Sequence, residues 1–189
     1  MLSAVKLTVI TLMMYFIVEN PVGTYHDRAM IDLPTGLRNH NALQEDAVNL
    51  ANNWQLSSNG SIGVVACDLN DLKRINDTHG HQAGDEAIAL IGRVLRAELV
   101  SAYGVYRTGD EFTAIYVNQH EDVMIAEMQA ARDNLRSRHL DCGWAVHAAL
   151  GSAYATNQSE LSIRDIMQRA DEAMYADKAR QKGAENVRR

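Results

Sequence analysis

A run of six apolar residues, Ile62 to Cys67, is followed directly by an aspartate, Asp68. The run is short and contains small and β-branched side chains, which is typical of a strand buried on both faces of a sheet. A carboxylate at the end of such a strand costs free energy unless water or a cation accommodates its charge. The sequence therefore predicts a central strand that ends in an acid, at either a solvated turn or a polar site.

A predicted hairpin contains two further acids, Asp110 and Glu111. Gly-Asp pairs favour tight turns, so Asp110 alone has a structural explanation, but a second acid at the start of a strand is harder to explain in that way. If the hairpin lies beside the strand that ends in Asp68, three carboxylates converge, and oxygen ligands of this kind suit magnesium. The two strands of the predicted hairpin are Val105 to Arg107 and Phe112 to Val117.

Apolar residues at helical spacing predict four amphipathic helices around these strands. A further strand is predicted from Trp144 to Tyr154, and the second helix is expected to open at Gly84 and Asp85. Strands and helices in this order predict a single sheet covered by helices. The four stripes are Leu43, Ala47, Leu50, Ala51 and Trp54; Ile88, Ile91, Leu95 and Leu99; Met124, Met128, Ala131 and Leu135; and Ile163, Met167, Ala170 and Met174.

The net charge of −6 makes duplex nucleic acid a poor candidate partner, because the general field of the protein repels phosphates. A local site can still bind a phosphate group through a few lysines and a metal ion. The two cysteines, Cys67 and Cys142, form no CxxC pair and have no zinc-like spacing, which favours a reduced cytoplasmic setting.

The first 26 residues form an apolar lead that we treat as separate from the domain. Residues 7–18 are apolar and uncharged, but this stretch is shorter than the roughly 20 residues of a membrane-spanning helix. Three interpretations stay open: the end of a truncated membrane span, a packed N-terminal helix, or a fragment of an upstream sensor domain. We expect a cytoplasmic protein, or one held at the inner face of the membrane through residues 1–20.

The polar segment after Asp68 reads D-L-N-D-L-K-R-I-N-D-T-H-G-H-Q-A-G-D and ends at Asp85. It resembles the GGDEF family, whose pattern is D-x-[DN]-x-[FL]-K-x-[IV]-N-D-x-x-G-H-x-x-G-D, and the hairpin turn Thr-Gly-Asp-Glu-Phe resembles the motif that names the family. Asp32 to Asn39 resembles the opening motif D-x-L-T-G-L-x-N-R, with His40 in place of the arginine. Ala170 to Lys178 resembles the closing motif A-D-x-A-M-Y-x-A-K.

This resemblance implies a diguanylate cyclase over residues 27–186, which condenses two GTP molecules into cyclic di-GMP plus pyrophosphate. The implied cofactors are two magnesium ions, with manganese as a substitute. The implied fold is α/β of the α+β type: one mainly antiparallel sheet of about five strands surrounded by helices, as in nucleotidyl cyclases and polymerase palms. Because one domain holds one GTP, the reaction implies a homodimer.

The resemblance also implies roles for individual residues. Asp110 and Glu111 would be catalytic and would bind metal together with Asp68 and the carbonyl of Leu69. Asn76 and Asp85 would hydrogen-bond the guanine edge. The other implied substrate-binding residues are the backbone of Leu72 and Gly109, which would approach the phosphates, and the side chains of Lys73, Lys178 and Lys182, which would neutralise them.

The turn departs from the family pattern R-x-G-G-[DE]-E-F, because this chain has Y-R-T-G-D-E-F from Tyr106 to Phe112. Either Thr108 replaces the first glycine, which would strain the turn, or one glycine is deleted, which would tighten the hairpin. The alternative function is therefore a degenerate module that binds GTP or cyclic di-GMP, or a signalling scaffold. The family's inhibitory R-x-x-D motif is also missing, since its nearest counterpart ends in Leu99, and we expect no product inhibition there.

Overall fold

The computed structural model describes residues 29–53 and 60–187, and its centre is a five-stranded sheet in the order β1-β3-β4-β2-β5. Strand β1 pairs with β3 in parallel, and all the other neighbouring strands pair antiparallel. The strands are β1 (Arg38–Asn39), β2 (Ser61–Leu69), β3 (Gly104–Thr108), β4 (Glu111–Val117) and β5 (Ala148–Thr156).

Strand β2 organises the sheet because it lies between β4 and β5 and all nine of its residues are buried. Its continuous apolar sequence suits this position, since side chains alternate between the two faces of a strand and both faces are covered here. The register places Asp68 of β2 opposite Glu111 of β4 and opposite Ala149 of β5.

Helices cover both faces of the sheet and enclose two hydrophobic clusters. The cluster on one face contains the buried side chains of α3 and α4, and the cluster on the other contains those of α1 and α5. Apolar burial of this extent is the main favourable contribution to folding. The helices are α1 (His40–Asn53), α2 (Leu72–His79), α3 (His81–Glu98), α4 (Glu121–Arg136) and α5 (Ile163–Val187).

The predicted architecture is confirmed: the described residues form a mainly antiparallel sheet of five strands between helices. The predicted strand from residue 144 is wrong at its beginning, because β5 starts at Ala148. Trp144 instead lies in the preceding loop, where its ring contacts Arg74 and His79 of α2. A tryptophan beside apolar residues has the same local pattern whether it belongs to a strand or to a packed loop.

Two short elements, β1 and α2, were not predicted. Strand β1 has only two residues. Helix α2 is mostly polar and has a single buried residue, Ile75, so its sequence contains no apolar stripe that would predict a helix. Helix α3 also begins earlier than expected, at His81, so Asp85 lies inside its first turns and does not cap it. The N-cap of α3 is Gly80, which has φ = 85°.

The apolar lead of residues 1–26 lies outside the described residues, as does Trp54 of the first predicted stripe. Within residues 29–53 and 60–187, no helix has both the length and the apolar character that crossing a membrane requires.

Glycine allows α5 to pack closely on the sheet at Gly151 of β5. A Cβ atom at this position would meet the backbone of α5, including the carbonyl oxygen of Ala170 at 2.6 Å. We expect Gly151→Ala to lower the free energy of unfolding by about 1–3 kcal/mol, because the helix backbone cannot move aside easily. Urea denaturation at neutral pH measures this difference.

Gly183 provides the control, because it lies in α5 itself and a Cβ atom there would meet no other part of the described chain within 4 Å. Gly183→Ala should be neutral or should stabilise the protein by about 0.5–1 kcal/mol, since alanine favours the helical backbone. Equal urea midpoints for the two variants would contradict the close packing of β5 and α5.

Candidate functional site

Two of the predicted acids meet across neighbouring strands. Asp68 and Glu111 are partners in the β2–β4 register, and their side chains lie on the sheet face that α1 and α5 cover, because Val64, Ala66 and Asp68 alternate onto the same side. Asp68 is only 5% exposed. Its charge is compensated by Lys178 of α5, whose Nζ lies 2.6 Å from Asp68 Oδ1.

The hairpin turn consists of Gly109 and Asp110, between Thr108 at the end of β3 and Glu111 at the start of β4. Gly109 has φ = 70°, and Asp110 has a negative φ, which matches a type II′ hairpin turn with glycine in its first central position. Thr108 is an ordinary strand residue. The strain expected from a threonine at positive φ is therefore absent, and the two-residue turn agrees with the tightened hairpin.

Arg107 holds the hairpin turn to the opening motif. Its Nε donates to the carbonyl oxygen of Gly109 at 2.7 Å, and its Nη1 donates to both carboxylate oxygens of Asp32 at 3.0 and 3.1 Å. Arg107 stands two residues before Gly109, the same spacing as arginine and first glycine in the family pattern. Burial by itself raises the pKa of Asp32, but hydrogen bonds from Thr35 and Arg107 outweigh it and lower that pKa below its ordinary value.

Negative charge accumulates around Glu111. Partial burial raises the pKa of the Glu111 carboxyl, and the carboxylates of Asp68, Asp171 and Asp110 raise it further, against the opposing effect of Lys178. Burial also raises the pKa of Asp171. A carboxyl group whose pKa is raised by neighbouring carboxylates lies in a field of negative charge, where a cation would be stabilised.

The residues predicted to bind metal share this end of the sheet. The donor set is carboxylate oxygen from Asp68 and Glu111, with Asp110 in the adjoining turn and Leu69 at the last position of β2, and such oxygen donors suit magnesium. Among the described residues, however, no group of three His, Cys, Asp or Glu side chains is arranged closely enough to hold an ion. The chemistry of the donors fits a divalent cation, although Lys178 is the cation that contacts Asp68 here.

The loop after β2 leads into the N-terminus of α2. Asp71 precedes the helix with φ = 60° and ψ = 21°, a left-handed conformation that is uncommon for a residue other than glycine. No side chain caps the helix, so the first N–H groups, including those of Leu72 and Lys73, remain available to an anion. Lys73 is exposed in this first turn.

Asn76 and Asp85, the residues predicted to contact guanine, lie on α2 and α3, which pack against each other. Asn76 Oδ1 is buried and has no hydrogen-bond partner in the described part of the chain. It lies against the Cα of Gly84, where any Cβ atom would clash with it. Asp85 is exposed on the next position of α3.

Helix α5 contributes more to this end of the sheet than the sequence indicated. Lys178 was predicted, and Lys182 is exposed one turn further along the helix. The residues that were missed are Asp177, which is buried, and Gln181, which hydrogen-bonds both Asp177 and Asn70. One signal was present, because Asp177 stands where the closing motif has alanine.

Comparisons with known proteins show which proteins this chain is similar to. A family model described as "Diguanylate cyclase, GGDEF domain" matches residues 29–184. Diguanylate cyclase DgcS of Shewanella oneidensis is 29% identical over 154 residues, which make up 80% of this chain and 50% of DgcS. Cyclic di-GMP phosphodiesterase PdeB of the same species is 30% identical over 167 residues, which cover 81% of this chain and 18% of PdeB. The chain thus spans half or less of these two relatives.

A solved structure supports the fold. The crystal structure of the coiled coil and GGDEF domain of DgcB from Caulobacter crescentus, in complex with c-di-GMP, matches with a TM-score of 0.76 at 24% identity. The match covers 92% of this chain and 93% of that chain.

The raised pKa of Glu111 predicts a gain in stability when its charge is removed. The ionised carboxylate disfavours the folded state at pH values above the ordinary pKa of 4.5. Glu111→Gln should therefore have a higher Tm than the wild-type protein at pH 7 without divalent ions, and the difference should shrink as the pH falls through the raised pKa and should be lost below about 4.5. Thermal unfolding from pH 3.5 to 8 measures this, and a lower Tm for the variant at pH 7 would contradict it.

Proposed function

The chain belongs to the GGDEF family of diguanylate cyclase domains, and we propose that it condenses two GTP molecules into cyclic di-GMP and two pyrophosphates. The observation that supports this most strongly is the pairing of Asp68 with Glu111 across β2 and β4, with Lys178 in contact with Asp68. The uncapped N-terminus of α2 follows Asp68 by four residues. Acids, a lysine and free N–H groups at one end of a sheet suit a metal-bound triphosphate.

We further propose that Asp68, Asp110, Glu111 and the carbonyl of Leu69 hold two magnesium ions, or manganese as a substitute. When bound, such ions activate the attacking 3′-hydroxyl and stabilise the negative charge of the pentavalent transition state. The protein supplies the carboxylates, and it orients Asp68 and Glu111 through the strand register.

The triphosphate has about four negative charges, which the two ions offset together with Lys73, Lys178 and Lys182. Lys178 would exchange its contact with Asp68 for one with phosphate when metal ions occupy the acids. The backbone N–H groups of Leu72 and its neighbours would bind phosphate oxygens at the start of α2. Gly109 would let the turn approach the α-phosphate, because no side chain stands between them.

For guanine recognition, the buried and unpaired Oδ1 of Asn76 is a hydrogen-bond acceptor for an N–H group of the base. Asp85, one residue after Gly84, is an acceptor for a second N–H group. Adenine has a different arrangement of donors and acceptors and would leave these oxygens unpaired, which is how such a site discriminates between bases.

One domain offers one such site, and the reaction joins two nucleotides. We therefore propose that catalysis takes place in a homodimer whose two sites face each other, each presenting one GTP. The proposed setting is cytoplasmic, with residues 1–20 as the segment that would touch a membrane.

A second candidate function is a non-catalytic module that binds GTP or cyclic di-GMP, or a signalling scaffold. The observation that favours it is the turn, in which Gly109 is the only glycine and Asp110 directly precedes β4. In a two-metal site, a shift of the Asp110 carboxylate by about 1 Å is enough to slow the reaction severely. PdeB is named as a phosphodiesterase, but the match to this chain covers only 18% of the length of PdeB, so that name does not favour either candidate.

Product analysis separates the two candidates. We expect the purified wild-type protein, incubated with GTP and magnesium, to form cyclic di-GMP, and Asp110→Ala to reduce the rate by at least about 100-fold, because a carboxylate at the reacting centre is lost. Chromatography of the nucleotides measures the rate. Asp133→Ala is the matched control, because Asp133 is an exposed aspartate of α4 that pairs with Arg136.

Formation of cyclic di-GMP by the wild-type protein and by Asp133→Ala, but not by Asp110→Ala, would establish the cyclase. If the wild-type protein binds GTP at high protein concentration without forming product, the binding module is the correct function.

A further inference from the structure

Gln181 of α5 connects a buried acid to the loop that follows β2. Its Nε2 donates to Asp177 Oδ2 at 2.8 Å and to the carbonyl oxygen of Ala148 at 3.2 Å. Its Oε1 accepts from Asn70 Nδ2 at 2.7 Å. Both ends of the amide are therefore in use, and they connect three different parts of the chain: α5, β5 and the loop.

Asp177 determines the orientation of the Gln181 amide. The Asp177 carboxylate is buried and accepts from Arg132 Nη1 at 2.7 Å and from the N–H of Leu150 at 3.1 Å. Burial alone raises its pKa, but the hydrogen bonds from Arg132 and Leu150 outweigh this effect and lower the pKa below the ordinary value. An ionised carboxylate only accepts hydrogen bonds, so Gln181 must turn its NH₂ group toward Asp177.

The polarity of each group then determines that of the next. With Nε2 facing Asp177, Gln181 presents Oε1 to Asn70, and Asn70 must turn its own NH₂ group toward that oxygen. Asn70 Oδ1 then faces away from Gln181. This oxygen is buried, and it has no hydrogen-bond partner among the described residues. Buried acceptors are rarely left unpaired in native proteins, and among the described residues the Asn70 amide is held through its NH₂ group alone, by Gln181.

Asn70 lies in the loop that matters most for the proposed function. It stands between Leu69, at the end of β2, and Asp71, whose left-handed backbone starts α2. Its own N–H donates to the carbonyl oxygen of His147 at 2.9 Å. The loop is thus held by its backbone on one side and by Gln181 on the other.

We propose that Gln181 is a positioning residue for GTP binding: through Asn70 it holds residues 70 and 71 in the conformation that presents the N–H groups of the first turn of α2 to the triphosphate. This inference rests on the proposed function, because it assigns Gln181 a role in the same GTP site. Asp177 and Arg132 contribute to the same arrangement indirectly, because the ionised Asp177 that Arg132 contacts orients the Gln181 amide.

The test compares the affinity of Gln181 variants for the guanosine triphosphate analogue with a methylene bridge between the α and β phosphorus atoms, in the presence of magnesium. This analogue binds without turnover. Gln181→Met keeps the length of the side chain and removes its polar atoms, and Gln181→Glu places a carboxylate against Asp177. Each should weaken binding by about tenfold or more, as the loss of a supporting hydrogen bond commonly does.

Two controls distinguish positioning from general stability. Gln168→Met changes a glutamine of the same helix that also bonds an acid four residues away, Glu172 at 2.9 Å, and it should leave the affinity unchanged. The double variant Asn70→Ala and Gln181→Met tests the route through Asn70, since Asn70→Ala alone already removes the link between Gln181 and the loop. The double variant should therefore bind the analogue about as tightly as Asn70→Ala, because the two losses share one interaction and do not add.

The inference is overturned if Gln181→Met and Gln181→Glu bind the analogue as tightly as the wild-type protein, even at a lower Tm. It is equally overturned if the losses of Asn70→Ala and Gln181→Met add in the double variant, because Gln181 would then act without Asn70. A wild-type protein that binds neither GTP nor the analogue would instead overturn the proposed function, and this inference with it.

Discussion

A buried carboxylate at the end of the central strand governs how the rest of this site is arranged. Asp68 is 5% exposed, and an ionised acid in such surroundings requires a cation or hydrogen-bond donors. The fold meets this requirement with Lys178, which comes from a helix 110 positions later in the sequence. Because Lys178 of α5 supplies the compensating charge, the ionised Asp68 carboxylate is stabilised by the packing of α5 on β2 and β5. The stability of this end of the sheet and the position of the groups proposed to bind a ligand therefore depend on the same helix.

Helix α5 performs both roles through residues that follow one another along the chain. Asp177 points to Arg132 and to the N–H of Leu150, which fastens the helix to α4 and β5. Lys178 reaches Asp68, and Gln181 reaches the loop after β2. Removing one partner of a buried charged pair commonly destabilises a protein strongly, because the other charge remains buried. A single helix thus couples the packing of the sheet to the position of the groups that would contact a nucleotide.

Much of the fold followed from the sequence because its signals are local. The apolar run before Asp68 and the helical stripes of α3, α4 and α5 have periodicities that the backbone geometry imposes. The exceptions have physical reasons. Strand β1 is two residues long and is defined by its pairing with the distant strand β3, and α2 buries one side chain. Trp144 belongs to a loop because its ring packs on Arg74, a contact that no local pattern contains.

The sequence by itself determined which chemical groups are present: Asp68, Asp110 and Glu111, and the lysines and the Asn76–Asp85 segment that the motifs mark. Only the tertiary structure decided that Asp68 faces Glu111, that Lys178 contacts Asp68, and that Thr108 is a strand residue while Gly109 takes the positive φ. It also decided that Asp177 orients Gln181. The reason is that strand register and helix packing join residues distant in sequence, whereas motif and periodicity describe only neighbours along the chain.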